Sequence, residues 1–355
     1  MAGGTGGHVY PALAVADELR SRGVAVIWLG TRKGIEARLV PAAGITVEWL
    51  GVSGLRGKSL FSLLLAPMNI VIACAQAMMI LLRHKPCAVL GMGGFVSGPG
   101  GLMAWCLQIP LLIHEQNAVP GLTNKLLSKL THRVMEAFPH SFNKKSLHVG
   151  NPVRTTVINI TSPEQRLVHR QGALRLLIFG GSLGAAQLNE VVPQALAILA
   201  AKKTATDSLF EVHHQAGPKN LHQARMNYSS LKVDAKVDAY IDDMAAAYAW
   251  ADLVICRAGA MTIAEMAAAG VASILVPYPY AVDDHQTSNA KFLADADAAI
   301  LLSQQDFNAQ NLARILIKQD RQKIIDMAVK ARCLGMPEST RLVAEQCLIA
   351  GGCAC

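Results

Sequence analysis

Aromatic side chains are scarce, 5% of 355 residues, and charged ones make up only 16%. No basic run interleaved with aromatics is present, so the stacking platform of a nucleic-acid binder is excluded despite a net charge of +8. The eight cysteines include no CxxC pair, and several sit in apolar runs where a free thiol acts as a small hydrophobe. Nothing at the N-terminus resembles a secretory signal, which points to a reducing cytosol. Cys353 and Cys355 read as a frayed tail. There is no solenoid period and no low-complexity tract. What remains is a globular chain, 52% hydrophobic, long enough for two domains, whose positive charge suits a nucleotide substrate or an acidic lipid surface.

Apolar strand-like runs alternate with helical patterns throughout, the mark of α/β layering on parallel sheets. Strands are expected near residues 25–29, 88–90, 111–114 and 133–135, then near 174–179, 210–214, 253–256 and 273–276. Residues 151–171 mix Pro, Thr, Asn and charge between the two sets and read as the linker. The expected domains are 1–152 and 153–335, each doubly wound, with 336–355 as a final helix. A glycine-rich phosphate loop normally follows a strand, yet only Met1 and Ala2 precede Gly3. The first domain therefore reads as lacking its first strand, the true start lying upstream.

Residues 60–82 are uncharged and mostly apolar, bounded by Lys58 and Arg83. Length alone would allow a membrane span. Pro67, Asn69 and Gln76 interrupt it, and a span would separate the first glycine loop from everything after Arg83. The expectation is an apolar helix or hairpin on the membrane interface, with Arg56, Lys58, Arg83 and Lys85 towards anionic head groups. A buried core helix is the alternative.

Four glycine-rich turns carry the chemistry. Gly3-Gly4-Thr5-Gly6-Gly7-His8 opens a helix, where amides and dipole favour phosphate. The same helix end disfavours imidazolium, which suits His8 to accept a proton. Gly91-Met92-Gly93-Gly94-Phe95-Val96-Ser97-Gly98 follows a second strand, and His114-Glu115-Gln116-Asn117 closes a third, clustering polar groups at one sheet edge. Gly180-Gly181-Ser182-Leu183-Gly184 and Arg257-Ala258-Gly259-Ala260-Met261-Thr262 repeat the theme in the second half. Glu265, three residues after Thr262, fits either a capping box or a carboxylate accepting two ribose hydroxyls. Asp283-Asp284-His285-Gln286-Thr287-Ser288-Asn289 could hold a sugar. Asp295-Ala296-Asp297 matches an Asp-x-Asp metal pattern but falls at an apparent helix end, so no metal or other cofactor is expected. Dipoles and amides are then left to stabilise a departing diphosphate.

In this order the motifs GGTGGHVYPALAVA, GMGGFVSGPGG, HEQNAVPG, GNPVR, GGSLGA, YIDDMAAAYAWAD, CRAGAMTIAEMAAAG and HQTSNA closely resemble the peptidoglycan N-acetylglucosaminyltransferases, glycosyltransferase family 28, along essentially the whole chain. The resemblance implies the metal-independent GT-B fold, two Rossmann-like domains facing each other across a cleft. It implies inverting transfer of N-acetylglucosamine from UDP-N-acetylglucosamine to the 4-hydroxyl of undecaprenyl-linked muramyl-pentapeptide, by a peripheral protein on the cytoplasmic membrane face. His8 would be the general base, with Asn117 beside it in the catalytic set and Thr5, Gly6 and Gly7 contacting substrate. Gly4, Gly93, Gly94, Ser97 and Gly98 would hold the acceptor diphosphate. Arg154 and Ser182 would contact the donor, Ile241 the uracil, and Gly259, Ala260, Met261 and Thr262 its diphosphate. Glu265 would take the ribose, and His285, Gln286 and Asn289 the sugar. Anionic membrane and other cell-wall enzymes would be partners, nucleic acid would not, and the final helix would return to the first domain. Phe95 and Ala258 lack hydroxyls that some relatives carry. The rivals are another UDP-sugar enzyme, such as an epimerase or a transferase with a different acceptor, and a non-catalytic membrane-bound UDP-sugar sensor.

Overall fold

The computed structural model describes residues 1–52, 66–142, 146–181, 184–201, 209–280 and 284–352. Arg56, Lys58, residues 60–65, Ser182, Leu183, Asp283, Cys353 and Cys355 lie outside that set. The chain divides into two compact units, Met1–Arg154 with Met336–Cys355, and Thr155–Gly335.

The first unit runs α1 (Gly6–Ser21), β1 (Ile27–Gly30), α2 (Glu36–Ala42), β2 (Thr46–Trp49), α3 (Ala66–His84), β3 (Val89–Gly91), α4 (Ser97–Cys106), β4 (Leu111–Glu115), α5 (Leu122–Leu127), β5 (Arg133–Glu136) and β6 (Leu147–His148). β1 and β2 form one parallel pair and β3-β4-β5-β6 a separate four-stranded parallel sheet. β4 is buried over its whole length, as a central strand covered on both faces must be. Between the two sheets Met1 lies along β3. Its amine donates to Leu90 O (2.8 Å), and its carbonyl accepts from Met92 N (2.9 Å). Ala2 O accepts the Trp28 indole N–H at 2.9 Å, which ties the same stub to β1.

The second unit runs α6 (Thr155–Ile158), α7 (Pro163–Leu167), β7 (Leu174–Phe179), α8 (Ala186–Ala201), β8 (Phe210–Gln215), α9 (Leu221–Ser230), β9 (Lys236–Asp238), α10 (Met244–Trp250), β10 (Leu253–Cys256), α11 (Ala260–Ala269), β11 (Ala272–Leu275), α12 (His285–Ala294), β12 (Ile300–Leu301), α13 (Ala309–Leu316) and α14 (Arg321–Cys333). Its six parallel strands are ordered β12-β11-β10-β7-β8-β9. Strand order reverses between β7 and β10, so the loops leaving these two strands flank the crevice where doubly wound sheets bind ligands. The expected linker is corrected here. Most of residues 151–171 belong to the second unit, because Val157, Ile160 and Leu167 bury their side chains and Pro163 starts α7.

The chain ends in α15 (Ser339–Ala350), which packs on α1 and β4 in the first unit. Val343, Ala344 and Cys347 share a core with Val15, Leu112, Met135 and Val149. Fully burying a side chain such as Leu112 is worth about 1.5–3 kcal/mol.

α3 is the exception to burial. Ala73, Ala77, Ile80 and Leu81 face the unit, but only 22% of Pro67–His84 is buried. Val71 is 67% exposed, Met68 64%, Met79 58% and Leu82 53%. A buried core helix is thereby excluded for the described part of the segment. The window is also long and apolar enough to cross a membrane.

Candidate functional site

In the first unit the site is built on two glycine loops that touch. Thr5 is extended and exposed at the N-cap of α1, which places Gly6, Gly7 and His8 in its first turn, where amides point out of the helix end. Gly94 has φ +81°, and a Cβ there would overlap the Gly3 carbonyl oxygen. A side chain at Gly93 (φ +94°) would meet the His8 ring at 2.9 Å. Only glycine lets the second loop lie this close to the first.

Buried carboxylates hold the first glycine loop and the turn after β4 in shape. Glu36 accepts from Gly4 N (3.1 Å), Thr31 N (3.1 Å) and Thr31 Oγ1 (2.7 Å), pinning the first loop to the end of β1. Glu115 accepts from Asn117 N, Asn117 Nδ2, Gly121 N and Asn124 Nδ2 at 2.9–3.2 Å, shaping the turn after β4. His8 Nδ1 lies 2.7 Å from Gln116 Oε1, so β4's polar end meets the first glycine loop. Ser97 is fully buried and donates to Gly93 O at 2.8 Å; its hydroxyl shapes the second loop. Gly98 stands one residue further along α4. Arg154 is exposed at the end of the unit's first stretch, Met1–Arg154.

In the second unit, Gly180 and Gly181 leave β7, and Gly259 caps α11 after β10, on the two sides of the strand-order reversal. Gly259, Ala260, Met261 and Thr262 therefore form the start of α11. With Gly259 as N-cap, Thr262 occupies the third helical position and cannot form the capping box with Glu265. Glu265 is instead buried, and Tyr248 Oη donates to its Oε2 at 2.9 Å. Gln215, at the end of β8, donates to Gly181 O (2.9 Å) and accepts Ile241 N–H (2.9 Å), joining the β7 loop to the turn after β9. Asn289 is buried on α12 and donates to Ala258 O at 3.3 Å. Gln286 accepts Tyr278 N–H at 2.9 Å, and His285 begins α12. Asn289 and Gln286 thus brace the loops after β10 and β11. Arg257 donates to the Val276 and Pro277 carbonyls, and desolvation lowers its pKa. Asp295 and Asp297 follow the end of α12, where Asp297 pairs with Lys330 at 3.2 Å.

No sequence motif assigns a role to Glu36, Gln215 or Tyr248. The nearest local signal is the pair Gly30 and Gly34 just before Glu36, where a Cβ would run into the Glu36 side chain. A further cavity of about 930 Å³ opens over β8 and β9, lined by Phe210, His213, Lys236, Ile241, Asp243 and Trp250 among others.

The N-terminal domain of glycosyltransferase family 28 matches residues 1–136, and the C-terminal domain of that family matches residues 175–336. The chain belongs to glycosyltransferase family 28. A Nitrosococcus oceani protein named UDP-N-acetylglucosamine–N-acetylmuramyl-(pentapeptide) pyrophosphoryl-undecaprenol N-acetylglucosamine transferase is 51% identical over 352 residues, 98% of this chain and 97% of the relative. A Cupriavidus metallidurans protein of the same name is 52% identical over 98% of this chain and 96% of its own length. The crystal structure of Acinetobacter baumannii MurG matches with TM-score 0.85 at 40% identity, covering 98% of both chains. A Neisseria meningitidis UDP-GlcNAc 2-epimerase bound to UDP-GlcNAc matches at TM-score 0.67 but 14% identity, a likeness of fold alone. This family-28 glycosyltransferase has the GT-B fold, with parallel α/β sheets in both units.

Proposed function

We propose that this chain transfers N-acetylglucosamine from UDP-N-acetylglucosamine to the 4-hydroxyl of undecaprenyl-diphospho-N-acetylmuramyl-pentapeptide, with inversion at the anomeric carbon. The observation that carries the reading is about 50% identity, over nearly the whole chain, to relatives named for that reaction. The geometry supports it. His8 sits among glycine-loop amides suited to a lipid diphosphate, and its imidazole takes the proton of the attacking hydroxyl. Thr5, Gly6, Gly7 and Asn117 hold substrate beside it, and Gly4, Gly93, Gly94 and Gly98 present backbone to the acceptor diphosphate. In the second unit the α11 N-terminus receives the donor diphosphate and stabilises departing UDP through its dipole and amides. Glu265, aimed by Tyr248, takes the ribose hydroxyls, and Ile241 and Arg154 meet the donor. His285 takes the sugar on a loop frame braced by Gln286 and Asn289. No step is routed through a metal.

The same reading places the protein peripherally on the cytoplasmic membrane face. α3 offers exposed Met68, Val71, Met79 and Leu82. α4, packed against both α3 and α5, adds Trp105, and α5 adds Leu122 and Leu126. Exposed Arg83, Lys85, Lys125 and Lys129 suit anionic head groups.

The test is transfer of labelled sugar from UDP-N-acetylglucosamine to the lipid-linked acceptor, with and without EDTA. Transfer that survives EDTA is expected. Loss of transfer in EDTA would overturn the metal-free mechanism, and donor binding without turnover would favour a UDP-sugar sensor.

A further inference from the structure

Behind His8 runs a chain of hydrogen bonds whose direction is set by backbone carbonyls. At its far end His114 Nε2 lies 2.9 Å from Gly150 O. A carbonyl only accepts, so Nε2 carries the hydrogen. His114 is fully buried, and desolvation pulls its pKa down to about 4, so the ring is neutral and Nδ1 is a bare acceptor. Gln116 Nε2 stands 2.9 Å from that Nδ1 and donates to it. Its second hydrogen goes to His114 O at 3.1 Å, which independently fixes which end of the amide is nitrogen. Gln116 is itself held in place, its backbone carbonyl accepting Asn151 Nδ2 at 3.0 Å. The amide oxygen is then what faces His8, 2.7 Å from Nδ1. An oxygen there requires a hydrogen on His8 Nδ1. In neutral His8 the lone pair is left on Nε2.

We propose that Gln116, anchored through His114 to the Gly150 carbonyl, is a positioning residue that locks His8 in the Nδ1–H tautomer and makes Nε2 the proton-accepting atom. The proposal deepens the reading of His8 as general base and rests on it for its catalytic meaning. In the transfer step the acceptor's O–H bond breaks as its oxygen forms the new bond to the anomeric carbon. The proton moves to His8 Nε2, and the sugar–phosphate bond breaks with its electron pair leaving on UDP. The imidazolium so formed keeps its Nδ1–H on Gln116 Oε1, a bond strengthened by the new charge. A neutral amide thus does here what a carboxylate does behind the histidine of a serine hydrolase triad.

The experiment uses the full chain labelled with 15N-histidine. Long-range proton–nitrogen spectra are recorded across neutral and alkaline pH, with signals assigned by His8→Asn and His114→Asn. The expected pattern is protonated Nδ1 with bare Nε2 at His8, and the opposite at His114. In Gln116→Leu the His8 pattern should move towards the mixed tautomers of free histidine. Its kcat should fall about 100-fold, the low end of what a general base supplies, with donor KM little changed. Gln116→Glu keeps an acceptor towards His8 but loses both N–H donors to His114, so it should restore the His8 pattern and only part of kcat. An Nε2–H tautomer at His8 in the unmutated chain, or an unchanged His8 pattern in Gln116→Leu, would overturn the lock. If the pattern is as expected but His8→Asn retains full transfer, the lock stands and the reading of His8 as base fails.

Discussion

Docking of α3 on lipid is tested by replacing the two exposed side chains Val71 and Met79 with glutamine. They are 67% and 58% exposed, so more than half of each side chain is available to lipid and little of either supports the fold. Burying a whole Val or Met side chain is worth about 1.5–3 kcal/mol, so the exposed fractions amount to about 1–2 kcal/mol each. Losing both weakens partitioning by roughly 30- to 700-fold, taking tenfold per 1.4 kcal/mol. Flotation with vesicles containing anionic lipid reads this directly, and a thermal melt confirms that the fold is intact. Raising the salt should remove only the share carried by Arg83, Lys85, Lys125 and Lys129, about 1 kcal/mol per charge near the surface. Partitioning that changes less than threefold, with an unchanged melt, would refute the assignment of α3 as the contact surface.

Gly94→Ala forces a side chain into a left-handed backbone, about 1–2 kcal/mol, and into the Gly3 carbonyl; a Tm drop of several degrees with at least tenfold loss of transfer is expected. Wild-type values of both would show that the loops do not touch. Tyr248→Phe removes the hydroxyl that aims Glu265, and hydrogen bonds to charged groups are worth about 1.5–3 kcal/mol, so calorimetry should find UDP bound at least about tenfold more weakly. Unchanged affinity would dismiss Tyr248 as the group that orients Glu265. Burial depresses His114 to about 4 and His214 to about 3 from the ordinary 6.5. The unfolded chain therefore takes up protons that the native one refuses, and stability present above pH 6.5 is lost as pH falls towards 3–4. At pH 5 each histidine costs its own unit about 2 kcal/mol. Urea midpoints at pH 7.5, 6 and 5 should fall in that order, and a flat series would contradict the burial of both rings.

The long buried strands were readable because they are continuous apolar runs; β7 and β10 fall where the pattern put them. β2, β6 and β9 carry no strand signal, being two to four residues long and broken by polar side chains, and β12 is only two residues of the apolar run 298–302, too short to mark a strand. Residues 151–171 depart from the linker their composition implies for a physical reason. Short helices set among Thr, Asn, Ser and Pro have the composition of a linker, and only the burial of Val157, Ile160 and Leu167 tells them apart. At the candidate site the glycine turns and His8 are local signals. Their supports are not. Glu36 reaches Gly4, Gln215 reaches Ile241 and Tyr248 reaches Glu265 across 32, 26 and 17 residues of chain, distances over which no short motif speaks.

The seat of α15 sets an order of assembly. Leu112, Met135 and Val149 of the first unit are covered by Val343, Ala344 and Cys347, which the ribosome makes only after the whole second unit. Roughly 180 residues of the second unit intervene, about 10–40 s of synthesis at bacterial or eukaryotic rates. For that interval the nascent first unit carries an open apolar seam beside α1. A ribosome-bound chain halted before Ser339 should therefore be a chaperone client, and a full-length one released from the ribosome should not.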